Sequence, residues 1–182
     1  MATIEEILAR REARQETRTQ LHNEFKRPVV VFTLNIPGME KNSPLYKQAH
    51  KSGEAALAGS FREQGIEILR TCIVYGACGR EALFVARSED PRLLKELCLS
   101  IEESHPLGRI FDMDVYGTDG AAVHRTDIGL GPRCCFVCDA PAAECARSQR
   151  HDTEELFDFI DRRIGSFFRE TSPRKKERSR RI

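Results

Sequence analysis

Two carboxylates separated by one residue are the first feature of this sequence that points to chemistry. Asp112 and Asp114 alternate with the apolar residues Phe111, Met113 and Val115. In a β-strand, a period of two places both carboxylates on one face and the apolar side chains on the other. The two charges repel each other there, and a bound Mg²⁺ would remove that conflict, because one or two carboxylates and substrate phosphates hold this ion. The pair therefore predicts a magnesium site, with a solvated acidic face on an edge strand as the alternative.

Gly108 and Arg109 precede the acidic pair, and both residue types suit a phosphate. A glycine lets the backbone approach a ligand closely, and the planar guanidinium of arginine donates two parallel hydrogen bonds to phosphate oxygens. The 29 basic residues comprise 22 arginines and 7 lysines, a bias that supports phosphate binding but also arises in a GC-rich genome. We therefore expect this segment to bind a metal ion and a phosphate together.

A cysteine-rich segment is the second candidate site. Cys135, Cys138, Cys145 and His151 offer three sulfurs and one imidazole, which is the ligand set of a structural Zn²⁺ site. Such an ion would hold residues 127–151, a stretch too long for an ordinary loop and poor in apolar side chains. The spacing differs from that of common zinc fingers, so buried small residues beside a surface histidine remain the alternative.

Length and composition bound the class of protein. A chain of 182 residues with 40% apolar and 31% charged side chains is typical of one globular domain. It contains no apolar run that could span a bilayer, and acids stand where a secretory signal has bases. Seven cysteines then indicate thiols or metal ligands in a reducing compartment. We therefore expect a cytoplasmic protein without a membrane partner, and the net charge of +1 argues against nucleic-acid binding.

Capping signals and apolar periodicity predict the elements that position these residues. A capping box at Thr3 opens a surface helix that ends before Pro28. The other predicted helices cover residues 44–64, 91–104 and 153–168. The predicted strands cover residues 29–36, 66–75, 81–86, 110–115 and 122–125, with turns at 76–79 and 119–120.

This order of elements predicts the fold class. Strand, helix, hairpin, helix and strand in succession is the pattern of ferredoxin-like split βαβ folds. We predict a single α+β domain over residues 1–171, with an extra β-hairpin, an N-terminal helix, the Cys-rich loop and a C-terminal helix. A nucleotidyltransferase-like α/β fold is the alternative, since it also carries Asp-x-Asp on a strand after a helix. Residues 172–182 are charged and lack a core pattern, so we expect a disordered basic tail.

Two linked stretches of the chain resemble the citrate lyase holo-[acyl-carrier-protein] synthase family. The segment from Ser104 to Val115 is similar to the signature of that family. The second stretch follows in the family's order, as Arg125-x-Asp127, Gly131-Pro132-Arg133-x-Cys135-x-x-Cys138, Cys145-Ala146-Arg147 and His151. The resemblance is close over residues 102–151 and looser elsewhere.

The resemblance implies a nucleotidyltransferase reaction. Members of the family transfer a phosphoribosyl-dephospho-CoA group from triphosphoribosyl-dephospho-CoA to a serine of the apo acyl carrier subunit of citrate lyase, and diphosphate is released. Catalysis of such a transfer is mostly positioning and charge neutralisation. In this interpretation Asp112 and Asp114 hold Mg²⁺, Arg109 neutralises the diphosphate, and Arg125 or Arg133 is the second contact.

Further roles follow from the same resemblance. Asp127 is the candidate third carboxylate, as a metal ligand or as acceptor of the serine proton, because the return strand is expected to bring it beside Asp114. His105 is the other candidate for proton transfer, since its ordinary pKa lies near working pH, although a histidine before proline is often structural. Gly108 and Arg147 complete the expected substrate contacts.

Two other functions compete with this one. An Arg-rich, zinc-stabilised module could bind RNA or another protein, but three tyrosines and no tryptophan offer few stacking platforms. A related transferase could serve the carrier protein of malonate decarboxylase, and the cysteine stretch favours the citrate lyase type.

Overall fold

The computed structural model of the chain describes residues 3–37, 42–76, 79–138 and 140–171. These residues form five α-helices and five β-strands. The helices are α1 (Ile4–Phe25), α2 (Pro44–Glu63), α3 (Pro91–Ser104), α4 (Ala142–Ser148) and α5 (Thr153–Thr171). The strands are β1 (Val29–Leu34), β2 (Ile68–Gly76), β3 (Gly79–Ala86), β4 (Phe111–Tyr116) and β5 (Ala122–Val123). None of the helices in the described ranges is long and apolar enough to cross a membrane.

Local side chains fix the starts of the long helices, as the sequence predicts. Thr3 forms the predicted capping box at α1, where its hydroxyl accepts from the Glu6 backbone N–H at 3.2 Å. Ser43 caps α2 by accepting from Tyr46, and the carboxylate of Asp90 caps α3. Pro at the first position of α2 and α3 loses no helical hydrogen bond there.

The five strands form one sheet in the order β2-β3-β1-β4-β5, and every neighbouring pair is antiparallel. The strand β1 lies at the centre, between β3 and β4. The predicted order of strand, helix, hairpin, helix and strand is confirmed, and so is the α+β class.

The sheet has one fully covered face and one partly covered face. Val30, Phe32 and Leu34 of β1 point to a large core that includes buried side chains of α2, α3 and α5. Val29 and Val31 point to a smaller cluster closed by α1. Because side chains alternate along a strand, β4 follows the same rule, with Phe111, Met113 and Val115 buried in the large core. The two carboxylates therefore share the face opposite the large core, as predicted, and this is the face on which α1 packs.

Two predicted strand bounds need correction next to the acidic pair. Ile110 is not part of β4, because Gly108–Ile110 is a 3-10 turn, separated by three residues from the end of α3, in which the Ile110 side chain is buried. The return strand ends at Val123 rather than at residue 125, since Arg125–Ile128 forms a second 3-10 turn.

Smaller differences concern the other strand ends and the Cys-rich loop. β1 stops at Leu34, two residues early, and β3 begins at Gly79, two residues before the predicted start. The short helix α4 was not predicted, and it follows Pro141 at an alanine-rich run. The predicted turn at 76–79 falls partly outside the described residues, and the predicted basic tail at 172–182 falls entirely outside them.

Gly53 of α2 is required by the packing of the large core. A Cβ at this position would collide with the ring of Phe32 and lie 3.2 Å from the ring of Phe111. Gly53→Ala is therefore expected to lower the free energy of unfolding by about 1–3 kcal/mol, measured by urea denaturation. Gly59→Ala in the same helix is the control, because its nearest neighbour lies 4.0 Å away. Alanine there is expected to stabilise the helix by up to about 1 kcal/mol. Equal stability of the two variants would contradict this account of the α2 packing.

Candidate active site

A cleft of about 390 Å³ opens at the end of the sheet where β1 stops, lined by α1 and Asp112 from the carboxylate face and by α2 and Arg80 from the other face. It lies between the first half of α1, the end of β1, the start of β3 and the first half of α2. Asp112 lies at its wall, and four arginines line it, namely Arg10, Arg11, Arg14 and Arg80. The cleft therefore combines a carboxylate with a concentration of positive charge, and we call it the arginine cleft.

The two carboxylates of β4 are both accessible from this face. The side chain of Asp112 is 41% exposed, and it accepts from the Thr33 hydroxyl at 3.5 Å. Asp114 is also exposed at its tip, yet burial of part of its side chain and the neighbouring charge of Asp112 raise its pKa. Because the Asp114 side chain reaches solvent, the charge of Asp112 is the cause to expect there. Two carboxylates at this spacing disfavour ionisation of both groups at once. A cation would relieve that repulsion.

Arg80 is held in the arginine cleft by a buried network that the sequence did not predict. Its guanidinium donates to both carboxylate oxygens of Glu54, with Nη2 at 2.7 Å from Oε2. Glu54 also lies 2.6 Å from Nδ1 of the fully buried His50, whose Nε2 lies 3.2 Å from the Phe32 carbonyl oxygen. Burial alone would raise the pKa of Glu54, but the hydrogen bonds from Arg80 and His50 lower it to about 2.

One donor of Arg80 has no partner. Arg80 is only 8% exposed, and its Nη1 is buried without a hydrogen-bond acceptor among the described residues. The ring of Tyr75 lies 4.6 Å from the guanidinium carbon, which stabilises the cation without accepting that hydrogen. A buried donor without a partner costs free energy, and a bound anion would supply the missing acceptor.

Glu81 of β3 fixes α1 over the sheet. This buried carboxylate accepts a hydrogen bond from Arg14 at 2.8 Å and forms an ion pair with the Arg10 guanidinium at 2.6 Å. One turn further along, the Arg18 guanidinium lies 3.6 Å above the ring of Tyr116. The spacing of four residues between these arginines puts them on one side of the helix, which is the sequence signal that could have identified them.

His105 lies on the opposite face of the sheet from the carboxylates. Its Nδ1 accepts from the Leu107 backbone N–H at 3.0 Å, and its Nε2 lies 3.3 Å from the Ser52 hydroxyl. Its ring packs 4.9 Å from that of Phe111, a side chain of the large core, and burial lowers the pKa of His105. These contacts describe a structural histidine at a helix–strand junction.

Gly108 and Arg109 have structural partners of their own. A Cβ at Gly108 would overlap the carbonyl group of Glu102 and lie 2.5 Å from the Ile101 carbonyl oxygen, so a glycine is needed against the end of α3. The Arg109 guanidinium donates to the carbonyl of Cys134 at 2.8 Å and to that of Cys135. It thereby connects the turn before β4 to the Cys-rich loop.

Arg133 and Arg125 converge on Glu102, which is buried at the end of α3. Arg133 lies 2.7 Å from this carboxylate and 3.5 Å from that of Asp112, and it donates to the Phe111 carbonyl at 3.1 Å. Arg125 lies 3.6 Å from Glu102. Burial raises the pKa of Glu102, while the charge of Arg133 opposes the shift. Arg133 is therefore the only one of the predicted loop arginines for which a contact with the acidic pair is described.

Asp127 and Arg147 lie on the surface. Asp127 accepts from the His124 backbone N–H at 2.7 Å and so caps its own 3-10 turn. Among the described residues, no hydrogen bond or ion pair joins it to Asp112 or Asp114. Arg147 is exposed on α4. Neither residue lines the arginine cleft.

The Cys-rich loop brings its four predicted ligands together. The sulfurs of Cys135, Cys138 and Cys145 and a ring nitrogen of His151 all lie within 4.8 Å of one another, so the cluster could hold a metal ion. The hydrogen bond with His151 lowers the pKa of Cys138 to about 6, which favours the thiolate. Cys134 is exposed and is not part of this cluster.

Comparison with known proteins gives a consistent result over most of the chain. The family described as apo-citrate lyase phosphoribosyl-dephospho-CoA transferase matches residues 2–167. The chain is similar to the protein of that name from Escherichia coli, with 33% identity over 159 residues, which are 87% of this chain and 86% of that protein. It is 30% identical over 159 residues to the probable transferase of the same name from Vibrio cholerae, covering 87% and 89% of the two chains. It is also 34% identical over 158 residues to Protein CitXG of Haemophilus influenzae, which is much longer, since the match covers 87% of this chain and 34% of that one.

Proposed function

Because this chain belongs to the CitX family of apo-citrate lyase phosphoribosyl-dephospho-CoA transferases, we propose that it carries out the family's reaction in the arginine cleft. The family match confirms the function predicted from the sequence, which is the transfer of the phosphoribosyl-dephospho-CoA group to the acyl carrier subunit of citrate lyase. The same match favours this function over an RNA- or protein-binding module and over the malonate decarboxylase transferase. The proposal concerns the place of the reaction and the residues that carry it.

The unpartnered, buried donor of Arg80 is the observation that carries the proposal. A triphosphate is a dense array of acceptor oxygens, and guanidinium groups are the side chains best suited to bind it. Arg10, Arg11 and Arg14 extend the positive surface from Arg80 along α1. We assign the triphosphate end of triphosphoribosyl-dephospho-CoA to these four arginines, which would neutralise the diphosphate as it leaves.

The acidic pair fits a divalent cation. Asp112 and Asp114 are neighbours on one face, both reach solvent, and the charge of Asp112 contributes to the raised pKa of Asp114. Hard oxygen ligands of this kind suit Mg²⁺. When bound, such an ion would act as a Lewis acid toward phosphate oxygens. Thr33 and Arg133 orient Asp112 from its two sides.

The loop arginines are proposed here as positioning residues. Arg109 and Arg125 are occupied by loop carbonyls and by carboxylates of α3. Arg133 supports Asp112 and Glu102. His105 is separated from the acidic pair by the sheet, which argues against its transferring the serine proton. The proton acceptor is therefore to be sought on the carboxylate face.

The finer predictions about fold, partners and location complete the proposal. The strand order β2-β3-β1-β4, antiparallel throughout, supports the ferredoxin-like class over the nucleotidyltransferase-like α/β alternative. We propose one catalytic domain over residues 1–171, acting in the cytoplasm on the apo acyl carrier subunit and on triphosphoribosyl-dephospho-CoA.

The transfer reaction run with and without Mg²⁺ tests the function. Apo carrier subunit, the triphosphoribosyl precursor and the full chain are mixed, and diphosphate release is compared with the mass gained by the carrier. Equal amounts of both products that depend on Mg²⁺ support the proposal. A carrier that gains no mass would overturn it.

Arg11→Ala tests the location of the triphosphate. Arg11 is exposed, lines the arginine cleft and makes no ion pair among the described residues, so its loss is expected to leave stability unchanged. Removing one charge-assisted phosphate contact is expected to raise KM for the precursor about tenfold. Arg92→Ala, at an exposed position of α3 outside the cleft, is the control. Equal KM values for the two variants would place the triphosphate elsewhere.

A further inference from the structure

We propose that Cys135, Cys138, Cys145 and His151 form a closed Zn²⁺ site, and that this site holds Arg133 in its position beside Asp112. The geometry of the loop alone supports the zinc site. The effect of the site on Arg133 rests on the proposed function, because it concerns the acidic pair.

Two distances within the cluster are close to those of a tetrahedral site, and all four ligand atoms lie within 4.8 Å of one another. Zinc binds sulfur at about 2.3 Å and nitrogen at about 2.0 Å, so the ligand atoms of a tetrahedral site with three sulfurs and one nitrogen lie about 3.5–3.8 Å from one another. The sulfurs of Cys138 and Cys145 are 3.4 Å apart, and Nε2 of His151 lies 3.3 Å from the Cys138 sulfur. Three sulfurs with one imidazole are a ligand set that favours Zn²⁺ over hard cations such as Mg²⁺.

The histidine is oriented as in known zinc sites. Its Nδ1 lies 3.0 Å from a carboxylate oxygen of Glu155 on α5, which leaves Nε2 directed at the thiols. A carboxylate behind the ligating histidine fixes the ring and its tautomer and makes the ligand more basic. A surface histidine beside buried small residues, the alternative considered from sequence, would not require this arrangement.

The loop has little apolar core of its own, although Phe136 packs against the large core with its ring centroid 6.1 Å from that of Phe159 on α5. Within the described residues of 127–151, Cys135 and Cys145 are the buried ones. The buried side chains of the loop are therefore two of the four proposed metal ligands. This is expected where a metal ion rather than a hydrophobic cluster supplies the folding free energy.

Two contacts connect this site to the acidic pair. Arg109 donates to the carbonyl groups of Cys134 and Cys135 and so joins the loop to the turn before β4. Arg133, two residues before the first ligand, reaches back to Glu102, Asp112 and the Phe111 carbonyl. An ion that fixes the loop therefore fixes the position from which Arg133 supports Asp112.

Elemental analysis of the full-length protein, purified without chelator, tests the zinc site. About one zinc per chain is expected, and Co²⁺ in its place is expected to give the absorption bands of tetrahedral thiolate ligation. Cys145→Ser is expected to lose the metal, while Cys134→Ser, at the exposed neighbour, is expected to retain it. A wild-type protein without metal, or with a Cys138–Cys145 disulfide in its mass spectrum, would overturn the site. These readouts do not depend on transferase activity, so the zinc site and the proposed function can fail separately.

A double-mutant cycle on kcat tests the coupling between the zinc site and Arg133. His151→Ala weakens the site, and Arg133→Lys removes the planar contact while keeping the charge. Each change alone is expected to lower kcat about tenfold and to leave KM for the precursor unchanged, because the arginine cleft is intact. Arg133→Lys is expected to keep its zinc. If zinc acts through Arg133, the double variant is no worse than the single ones, whereas multiplied losses would overturn the coupling.

Discussion

Asp112→Asn is expected to reduce the rate of diphosphate release by about a thousandfold. The asparagine amide keeps the size of the side chain but loses the negative charge on which the proposed cation site depends, and removal of one electrostatic group at a reacting phosphate costs a factor of this order. Single-turnover transfer to the apo carrier, monitored by mass spectrometry, measures the loss directly.

The stability of this variant is expected to stay the same or to rise slightly. Asp112 is 41% exposed, and its contacts with Thr33 and Arg133 are long, at 3.5 Å each. The substitution also removes repulsion with Asp114. Asp161→Asn, an exposed position on α5, is the matched control for a lost surface carboxylate. Wild-type transfer by Asp112→Asn would exclude the metal role, and loss of transfer together with a large fall in melting temperature would instead indicate a structural role.

The orientation of the acidic pair was predictable because it depends on local pattern alone. In β4, a period of two fixes which side chains share a face. The apolar side chains of Phe111, Met113 and Val115 decide which of the two faces is buried. The meeting of the cysteine and histidine ligands was partly predictable for a similar reason. Their residue types gave the ligand set, whereas the fold of α4, which returns Cys145 to Cys138, did not follow from their spacing.

The arginine cleft was not predictable from local pattern, because it is built from pairs far apart in the chain. Glu81 meets Arg14 across 67 residues, and Glu54 meets Arg80 across 26. Periodicity carries no information about such pairs. The helix α1 also has little apolar surface to reveal its partner, since Ile4 and Leu8 are exposed. Its position over the sheet depends on buried charge as well as on its contact with the small cluster.

Residues beside the acidic pair were assigned to substrate because their types suit phosphate, and the structure shows that several of them also make structural contacts. Gly108 is needed for close packing against α3, and Arg109 holds the Cys-rich loop. The type of a residue thus indicates which chemistry it could perform, while its neighbours decide whether the side chain is free to perform it.

The second large effect is expected from Glu54→Gln, at the residue that holds Arg80. The pKa of Glu54 is about 2 in the folded chain, against an ordinary value of 4.5. A carboxyl group whose pKa is lowered by folding stabilises the protein above its unfolded pKa, and this stabilisation is lost as the pH falls toward the folded pKa. The side chain is 16% exposed, and the shift corresponds to about 3 kcal/mol at neutral pH.

Urea denaturation at two pH values measures this contribution. At pH 7 the variant is expected to be less stable than the wild type by about 3 kcal/mol, because Arg80 remains buried without its carboxylate. At about pH 3 the difference is expected to shrink to about half, since this pH lies between the two pKa values and Glu54 is then protonated in the unfolded chain but still largely ionised in the folded one. Glu63→Gln, an exposed position of the same helix, corrects for the general effect of losing a glutamate.

The same variant connects stability to substrate binding. Without Glu54, the Arg80 guanidinium is no longer held by two hydrogen bonds, so KM for the triphosphate precursor is expected to rise at pH values where the variant is fully folded. The Glu63→Gln protein is expected to keep the wild-type KM. A stability difference that is the same at both pH values would mean that Glu54 is not an ionised partner of Arg80. A change in stability with no change in KM would mean that Arg80 does not face the triphosphate.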